Sequence, residues 1–186
     1  VARALQSLRV NGRAGARNSL RRGHLHIDAD ALQHGANCIA LAWSAPIRDS
    51  GTALTRHRDA DDGALYVYSL FVPADASTVF PCFDQPDLKA RFSLTLTTPA
   101  DWTAIGSAPV ARSRRSARSR SIAFATTEPI STYAFAFAAG PFIALGAGRQ
   151  DEPSRVWVRR SQRRRPRPRI DEILRLNNEA VRFCTR

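Results

Sequence analysis

The sequence predicts a mainly β protein, an antiparallel β-sandwich or saddle domain followed by one C-terminal amphipathic helix. Short segments with alternating apolar and polar residues recur along most of the chain, and turn residues separate them, as is typical of antiparallel sheets. After residue 170 the apolar spacing changes to the period of an α-helix. We therefore divide the sequence into a β-domain over residues 1–158, an Arg- and Pro-rich linker over 159–169, and a helix over 170–186.

Seven segments have the pattern of strands. They are residues 24–27, 39–43, 65–72, 92–97, 122–124, 133–138 and 156–158. The fourth segment alternates apolar side chains with hydroxyl groups, as a half-buried strand does. In the sixth, large and small residues alternate, which predicts that Tyr133, Phe135 and Phe137 share one face between two sheets.

The predicted helix has an apolar face and a defined start. Asp171 and Glu172 lie in its first turn, where acidic residues favour the helix N-terminus, and Pro166 and Pro168 separate it from the preceding arginines. Its apolar face comprises Ile173, Leu174, Leu176, Ala180, Val181, Phe183 and Cys184. Because the sequence offers no partner helix, this face predicts contact with a second domain.

Two arginine tracts explain the formal net charge of +12. Residues 112–120 hold five arginines and residues 159–169 hold seven, without an acidic residue in either tract. The remaining sixteen basic residues equal the sixteen acidic ones. We expect the tracts to form a hairpin loop and a linker. Since neither interleaves arginine with aromatic residues, a specific nucleic-acid partner is not predicted, and polyanion binding is the less favoured alternative.

The cysteines and histidines form no metal-binding or disulfide pattern. The three cysteines contain no C-x-x-C pair, and we expect Cys82, which lies between Pro81 and Phe83, to be a buried small hydrophobe. His24 and His26 share a strand face, but the sequence suggests no third ligand, so we expect them to face solvent.

Asp59, Asp61 and Asp62 cluster next to Gly63. This composition is typical of a turn, and we expect all three carboxylates to be solvated.

No apolar run approaches the roughly 20 residues of a membrane-spanning helix. Residues 1–5 also lack the apolar segment of a signal peptide. We therefore expect no membrane partner, and a cytoplasmic location is favoured. The chain begins with valine and contains no methionine, so we expect a processed chain or a fragment.

The run from Val79 to Phe92 is the most distinctive stretch of the sequence. It resembles F-P-C-F-D-[EQ]-P-x-x-K-A-x-F, a signature of the N-terminal β-domain of M1-family zinc aminopeptidases. The matching residues are Phe80, Pro81, Cys82, Phe83, Asp84, Pro86 and Lys89. Further similarity lies in V-N-G at residues 10–12, which resembles a turn between early strands of that domain, in P-x-x-W at 99–102, and in S-T-Y with A-G-P-F at 131–142. Residues 170–183 resemble the first helix of the family's catalytic domain.

We predict that the signature is structural. Pro81 and Pro86 restrict the backbone, and Phe80 and Phe83 would anchor the core. Asp84 would accept hydrogen bonds from the backbone amides of residues 85–87.

Lys89 would pair with Asp87 or Asp84. A surface ion pair of this kind contributes about 0–1 kcal/mol.

The resemblance implies that zinc and peptide substrates are bound by a catalytic domain missing from this sequence. Neither H-E-x-x-H nor G-x-M-E-N occurs here, so we assign no catalytic or metal-binding residue and expect this chain alone to be inactive. The β-domain is also expected to lack its first strands.

At the two positions where the family has a Q-x-[QE] pair, the chain has Leu70 and Val72, whose side chains cannot accept hydrogen bonds from an ammonium group. No substrate-binding residue is therefore assigned.

A stand-alone β-sandwich that binds other proteins is the alternative. In that case the C-terminal helix would cover an open sheet edge or bind a partner. The expected partners of the favoured function are the catalytic domain of the same protein and the peptide substrates of the intact enzyme.

Overall fold

The computed structural model describes residues 4–145, 155–164 and 170–184. Within them, fourteen strands precede one α-helix. The strands are β1 (Ala4–Val10), β2 (Arg13–Ala14), β3 (Asn18–Arg21), β4 (His24–Ile27), β5 (Ile39–Ser44), β6 (Leu54–Arg58), β7 (Leu65–Ser69), β8 (Thr95–Pro99), β9 (Thr103–Gly106), β10 (Val110–Arg115), β11 (Ser119–Phe124), β12 (Phe137–Gly140), β13 (Phe142–Leu145) and β14 (Val156–Arg159), and the helix is α1 (Ile170–Cys184). The predicted class, a mainly β domain with one C-terminal helix, is confirmed.

All the strand pairs in the described ranges are antiparallel. The largest sheet has the order β6-β7-β12-β9, and two three-stranded sheets have the orders β10-β11-β8 and β2-β1-β5. Two hairpins, β13-β14 and β3-β4, complete the architecture. Antiparallel pairing of neighbouring short strands is what the alternating pattern and the frequent turns predict.

The V-N-G segment forms the tight hairpin turn between β1 and β2. Val10 pairs with Arg13, and the two residues between them, Asn11 and Gly12, have φ angles of 51° and 79°. Two consecutive positive φ angles define the type I′ turn that matches the twist of paired strands, and Asn-Gly is its preferred sequence. The predicted turn is confirmed.

Two hydrophobic clusters form the core. In the first, Phe71, which is 1% exposed, lies with Phe135 among partly buried aromatic residues. The rings of Phe92 and Phe135 stack with their centroids 4.4 Å apart. In the second cluster, Ile122 and Phe124 of β11 pack with residues of β8 and β9. Burial of aromatic side chains supplies much of the stability of such a core.

Three predicted strands differ from those observed. The segment 65–72 ends as a strand at Ser69, and the strand expected over 92–97 begins at Thr95. The prediction for 133–138 is wrong over residues 133–136, because the strand begins at Phe137. Residues 132–134 form a 3-10 turn, and Tyr133 is 44% exposed. Tyr133 therefore does not share the buried face of Phe135. Side-chain hydrogen bonds of residues 131 and 132 to the signature accompany this turn.

The helix α1 is amphipathic, as predicted. Its apolar side chains are largely exposed, with Ile173 at 52% and Phe183 at 81%, and no described residue of α1 is buried. Arg175 and Glu179 form an ion pair of 2.7 Å across one turn, an arrangement that supports isolated helices. No helix in the described ranges is long and apolar enough to cross a membrane.

Candidate functional site

The signature loop, residues 80–92, contains no strand of its own and lies against the first core cluster. Phe80 packs its ring against Phe71 and Phe135, with centroid distances of 5.6 and 6.1 Å. Its predicted role as a core anchor is confirmed. The same prediction for Phe83 is wrong, because that side chain is 80% exposed. The loop turns between the two residues, so that only the first faces the core.

Asp84 joins two segments that are distant in sequence. Its carboxylate accepts a hydrogen bond of 2.9 Å from the backbone N–H of Ser77 and one of 2.6 Å from the hydroxyl of Thr132. Within the described residues these donors replace the amides of the 85–87 turn that we had predicted. One carboxylate thus holds together the 3-10 turns at residues 76–78 and 132–134.

Further bonds hold the signature loop to the segment 130–132. The hydroxyl of Ser131 donates to the carbonyl of Pro86, and Ala90 and Ile130 exchange two backbone hydrogen bonds of 3.0 Å each. The signature and the S-T-Y segment, both of which carry the family resemblance, therefore meet in space. Their proximity explains why two separate sequence patterns belong to one structural unit.

An open apolar groove of about 570 Å³ lies beside the signature loop. It is lined by Cys82, Phe83, Leu88, Lys89, Ala90, Phe92 and Thr132. Burial, and secondarily the nearby charge of Asp84, raises the pKa of the Cys82 thiol to about 11. Cys82 is thus a protonated, largely apolar group at neutral pH, and its side chain is partly buried, whereas we had predicted a buried one.

Lys89 forms neither of its predicted ion pairs within the described residues, although its backbone N–H bonds to the carbonyl of Asp87 at 3.1 Å. Lys89 is instead one of the residues that line the groove.

Leu70 and Val72 lie on the opposite side of the chain from the buried Phe71. They are 61% and 54% exposed, because alternate residues of an extended segment point in opposite directions. They present alkyl groups where the resemblance places polar ones. The assignment of no substrate-binding residue stays a prediction.

The prediction that the Asp59 carboxylate is solvated is wrong. Asp59 is only 2% exposed and lies at the centre of a network with the C-terminal part of the domain. Its carboxylate accepts hydrogen bonds from the N–H of Asp61 at 2.9 Å and the hydroxyl of Ser161 at 2.8 Å. It also pairs with the guanidinium of Arg159 at 3.0 Å. We call Asp59, Arg159 and Ser161 the Asp59 centre.

The surroundings of Asp59 favour its charged form. The N–H of Asp61 makes the largest contribution to lowering the pKa of Asp59, followed by the hydroxyl of Ser161. Burial acts in the opposite direction, and the charge of Arg159 adds to the lowering. A buried carboxylate is stable in this form because hydrogen bonds and a cation compensate for the lost water. Arg159 also donates to Nε2 of His57 at 2.6 Å.

Tyr66 extends this network. Its side chain is 1% exposed, and its hydroxyl accepts a hydrogen bond of 2.9 Å from the backbone N–H of Arg160. Burial raises the pKa of Tyr66. The side chain of Arg160 pairs with Asp62 at 3.1 Å. Residues 159–161, which we had predicted to be the start of a linker, thus bond to β6, β7 and the turn between them. The exact domain boundary stays a prediction.

The described residues do not fit a zinc site, which the family resemblance places in the missing catalytic domain. His24 and His26 are exposed on β4, with ring centroids 6.4 Å apart. No group of three or more His, Cys, Asp or Glu side chains in the described ranges could hold a metal ion. We therefore derive no chemistry through zinc from these residues.

The antiparallel fold and the signature loop bonded to the S-T-Y segment define an N-terminal domain of M1 peptidases. A family profile described as the peptidase M1 N-terminal domain matches residues 10–134, and the chain belongs to this family.

Among curated proteins, it is 33% identical over 111 residues to aminopeptidase N from Streptomyces lividans, covering 60% of this chain and 12% of that protein. It is 30% identical over 138 residues to aminopeptidase N from Acetobacter pasteurianus, covering 72% of this chain and 39% of that protein. The chain thus spans well under half the length of either relative.

A solved structure supports the fold. An M1 zinc metallopeptidase from Deinococcus radiodurans matches with a TM-score of 0.63 and 20% sequence identity, over 83% of this chain and 36% of the solved one. At this level of identity the match concerns the fold alone.

Proposed function

We propose that this chain works as the non-catalytic N-terminal part of a longer zinc aminopeptidase, which removes N-terminal residues from peptides. The observation that carries the proposal is the signature loop bonded to the S-T-Y segment within a chain that belongs to the M1 N-terminal domain family. Both named relatives are aminopeptidases that extend well beyond the matched region. Zinc and the peptide substrate would then be held by a catalytic domain that these 186 residues do not include.

Exposed apolar surface supports a role in contact with that domain. Phe83 and Leu88 line the open groove and are 80% and 44% exposed, and Leu70 and Val72 are exposed as well. Apolar side chains in such positions are typical of a surface that another domain covers. A cytoplasmic location of the whole protein stays a prediction.

To test the proposal, the transcript is sequenced beyond residue 186, and both the whole protein and this chain alone are then expressed. We expect a downstream H-E-x-x-H motif and hydrolysis of aminoacyl anilides by the whole protein. That activity should be lost on chelation of zinc and restored by zinc. This chain alone should give no hydrolysis above background. Hydrolysis by the chain alone, or a message without the motif, would overturn the proposal.

The alternative of a stand-alone interaction module makes the opposite prediction for the transcript. A stop codon directly after Arg186, in a message that is translated, would favour it.

A further inference from the structure

The first arginine tract forms the strands of a hairpin and not only its loop. Three of its five arginines lie in β10, one lies in the turn and one lies in β11. The tract contains no acidic residue, and none occurs between Asp101 and Glu128. The ion pairs of the described residues engage other arginines and leave all five without a carboxylate partner. The hairpin therefore presents concentrated positive charge.

The strand β10 is the open edge of its sheet. The sheet order is β10-β11-β8, so β10 pairs on one side with β11 and has no strand on its other side within the described residues. All six of its residues are exposed. The N–H of Ser116 bonds to the carbonyl of Ser119 next to the turn. Because hydrogen-bonded pairs alternate in an antiparallel ladder, the backbone groups of Ser113 and Arg115 point away from β11.

Arg112 and Arg114 project from one face of this edge. They pair with Ala123 and Ser121 of β11, which alternate with the buried Ile122, so the two arginines lie on the face opposite the core. Residues two apart on a strand are separated by about 6.8 Å. A segment that adds to β10 as a strand would place its own alternate side chains at the same spacing, opposite these two guanidinium groups.

We propose that β10 is a docking edge for an extended acidic protein segment, which pairs with it as an additional antiparallel strand. Main-chain hydrogen bonds to Ser113 and Arg115 would hold the segment. Asp or Glu at alternate positions would pair with Arg112 and Arg114 across the strands.

The backbone edge selects a peptide over other anions. It offers both N–H donors and carbonyl acceptors, whereas a phosphate chain carries acceptors only and satisfies half of these groups. The hairpin also exposes no aromatic ring on which a nucleic acid base would stack. A second copy of the same edge is excluded as the occupant, because it would bring arginines directly opposite arginines. These observations favour an acidic peptide segment.

The test uses the full chain and synthetic ten-residue peptides in which Glu alternates with Thr. One peptide is unmodified, and its matched control carries N-methyl groups on alternate backbone nitrogens, which removes the donors but keeps the charge. Binding is measured by calorimetry, and amide hydrogen exchange is followed by NMR. The variant Arg112→Gln/Arg114→Gln is compared with Arg13→Gln/Arg21→Gln, which removes the same charge from exposed arginines of β2 and β3.

We expect the unmodified peptide to bind, to protect the amides of Ser113 and Arg115 from exchange, and to lose its affinity on N-methylation. The Arg112→Gln/Arg114→Gln variant should bind it roughly five- to thirtyfold more weakly, while the control variant changes little.

Three results would overturn the proposal. They are equal binding of the N-methylated peptide, tighter binding of duplex DNA or anionic vesicles than of the peptide, and no binding of any peptide. The first two would indicate simple attraction of polyanions.

Discussion

Asp84 and Asp59 each join segments that lie far apart in the sequence, but in different surroundings. Asp84 is only partly buried and accepts hydrogen bonds from two neutral donors, the N–H of Ser77 and the hydroxyl of Thr132. Asp59 is 2% exposed and has the cation Arg159 among its partners. The difference shows that, within the described residues, the partly buried carboxylate is held by dipolar donors alone, whereas the buried one has dipolar donors and a cation that together offset its lost hydration.

The largest loss of stability is expected on substitution of Phe80, the ring of the signature loop that faces the core. Phe80→Ala should lower the free energy of unfolding by about 2–4 kcal/mol, because the ring packs on Phe71 and Phe135. Phe83→Ala is the matched control and should change stability by no more than about 0.5 kcal/mol, since that ring is 80% exposed. Urea unfolding followed by fluorescence measures both. Similar losses for the two variants would contradict the assignment of one inward and one outward ring.

The next effect concerns the Asp59 centre. Asp59→Asn should open the segment around residues 159–161, because Arg159 loses its carboxylate partner. Amide exchange at Arg160, whose N–H is bonded to Tyr66, should become much faster. The control is Asp49→Asn, which removes the partner of Arg56 at a site where the carboxylate is 77% exposed and should leave exchange at Arg160 unchanged. If Arg160 keeps its protection in Asp59→Asn, the centre does not hold this segment.

Acid should weaken the same centre. The folded-state pKa of Asp59 is lowered from its ordinary value of 3.8, so its stabilisation is fully present above that value and is lost as the pH falls through the lower, folded-state pKa. The difference in unfolding free energy between the parent chain and Asp59→Asn should stay constant between about pH 7 and 5 and shrink below about pH 4. A difference that instead grows on acidification would reverse the assigned direction of the pKa change.

A smaller effect is expected at Asp84. Asp84→Ala should cost about 1–3 kcal/mol, because the N–H of Ser77 and the hydroxyl of Thr132 both lose their acceptor. Thr132→Val removes only one of these bonds and should cost less. In the double variant the two losses should not add, since the residues share one interaction. Full additivity in equilibrium unfolding would show that Asp84 and Thr132 act independently.

The smallest expected effect concerns the reactivity of the three cysteine thiols. Alkylation by iodoacetamide near pH 7.5 should modify the exposed Cys38 and Cys184 well before Cys82, because the pKa of Cys82 is raised to about 11 and the thiol is half-buried. Mass spectrometry of the modified peptides gives the order directly. Rapid modification of Cys82 in the folded chain would show that the signature loop opens readily.

Local patterns predicted much of the fold. The Asn11-Gly12 turn, the alternating strands and the amphipathic helix depend on neighbouring residues, and the structure has all of them. The signature and the S-T-Y segment were also identified from sequence. Their hydrogen-bonded contact was not, since nothing in either pattern states that Asp84 is bonded to Thr132, 48 residues away.

The predictions from sequence failed at residues whose bonding partners lie far away in the sequence. The Asp59 turn has the composition of an exposed loop, and its buried state depends on Arg159 and Ser161, about 100 residues further along the chain. Similarly, Tyr133 continues an alternating pattern but lies in a 3-10 turn, where its neighbour Thr132 bonds to Asp84. For Tyr133 the sequence did contain an indication of the turn, because the S-T-Y motif begins with two hydroxyl residues, which favour turns.

The sequence by itself determined the antiparallel β class, the helix at residues 170–184 and membership of the M1 N-terminal domain family, because periodicity and a long motif are properties of consecutive residues. The tertiary structure alone decided which carboxylate is buried, which signature ring faces solvent, and that the first arginine tract forms a sheet edge. These outcomes depend on which groups from distant parts of the sequence surround each charge or ring and exclude water from it. Only the folded chain brings those groups together.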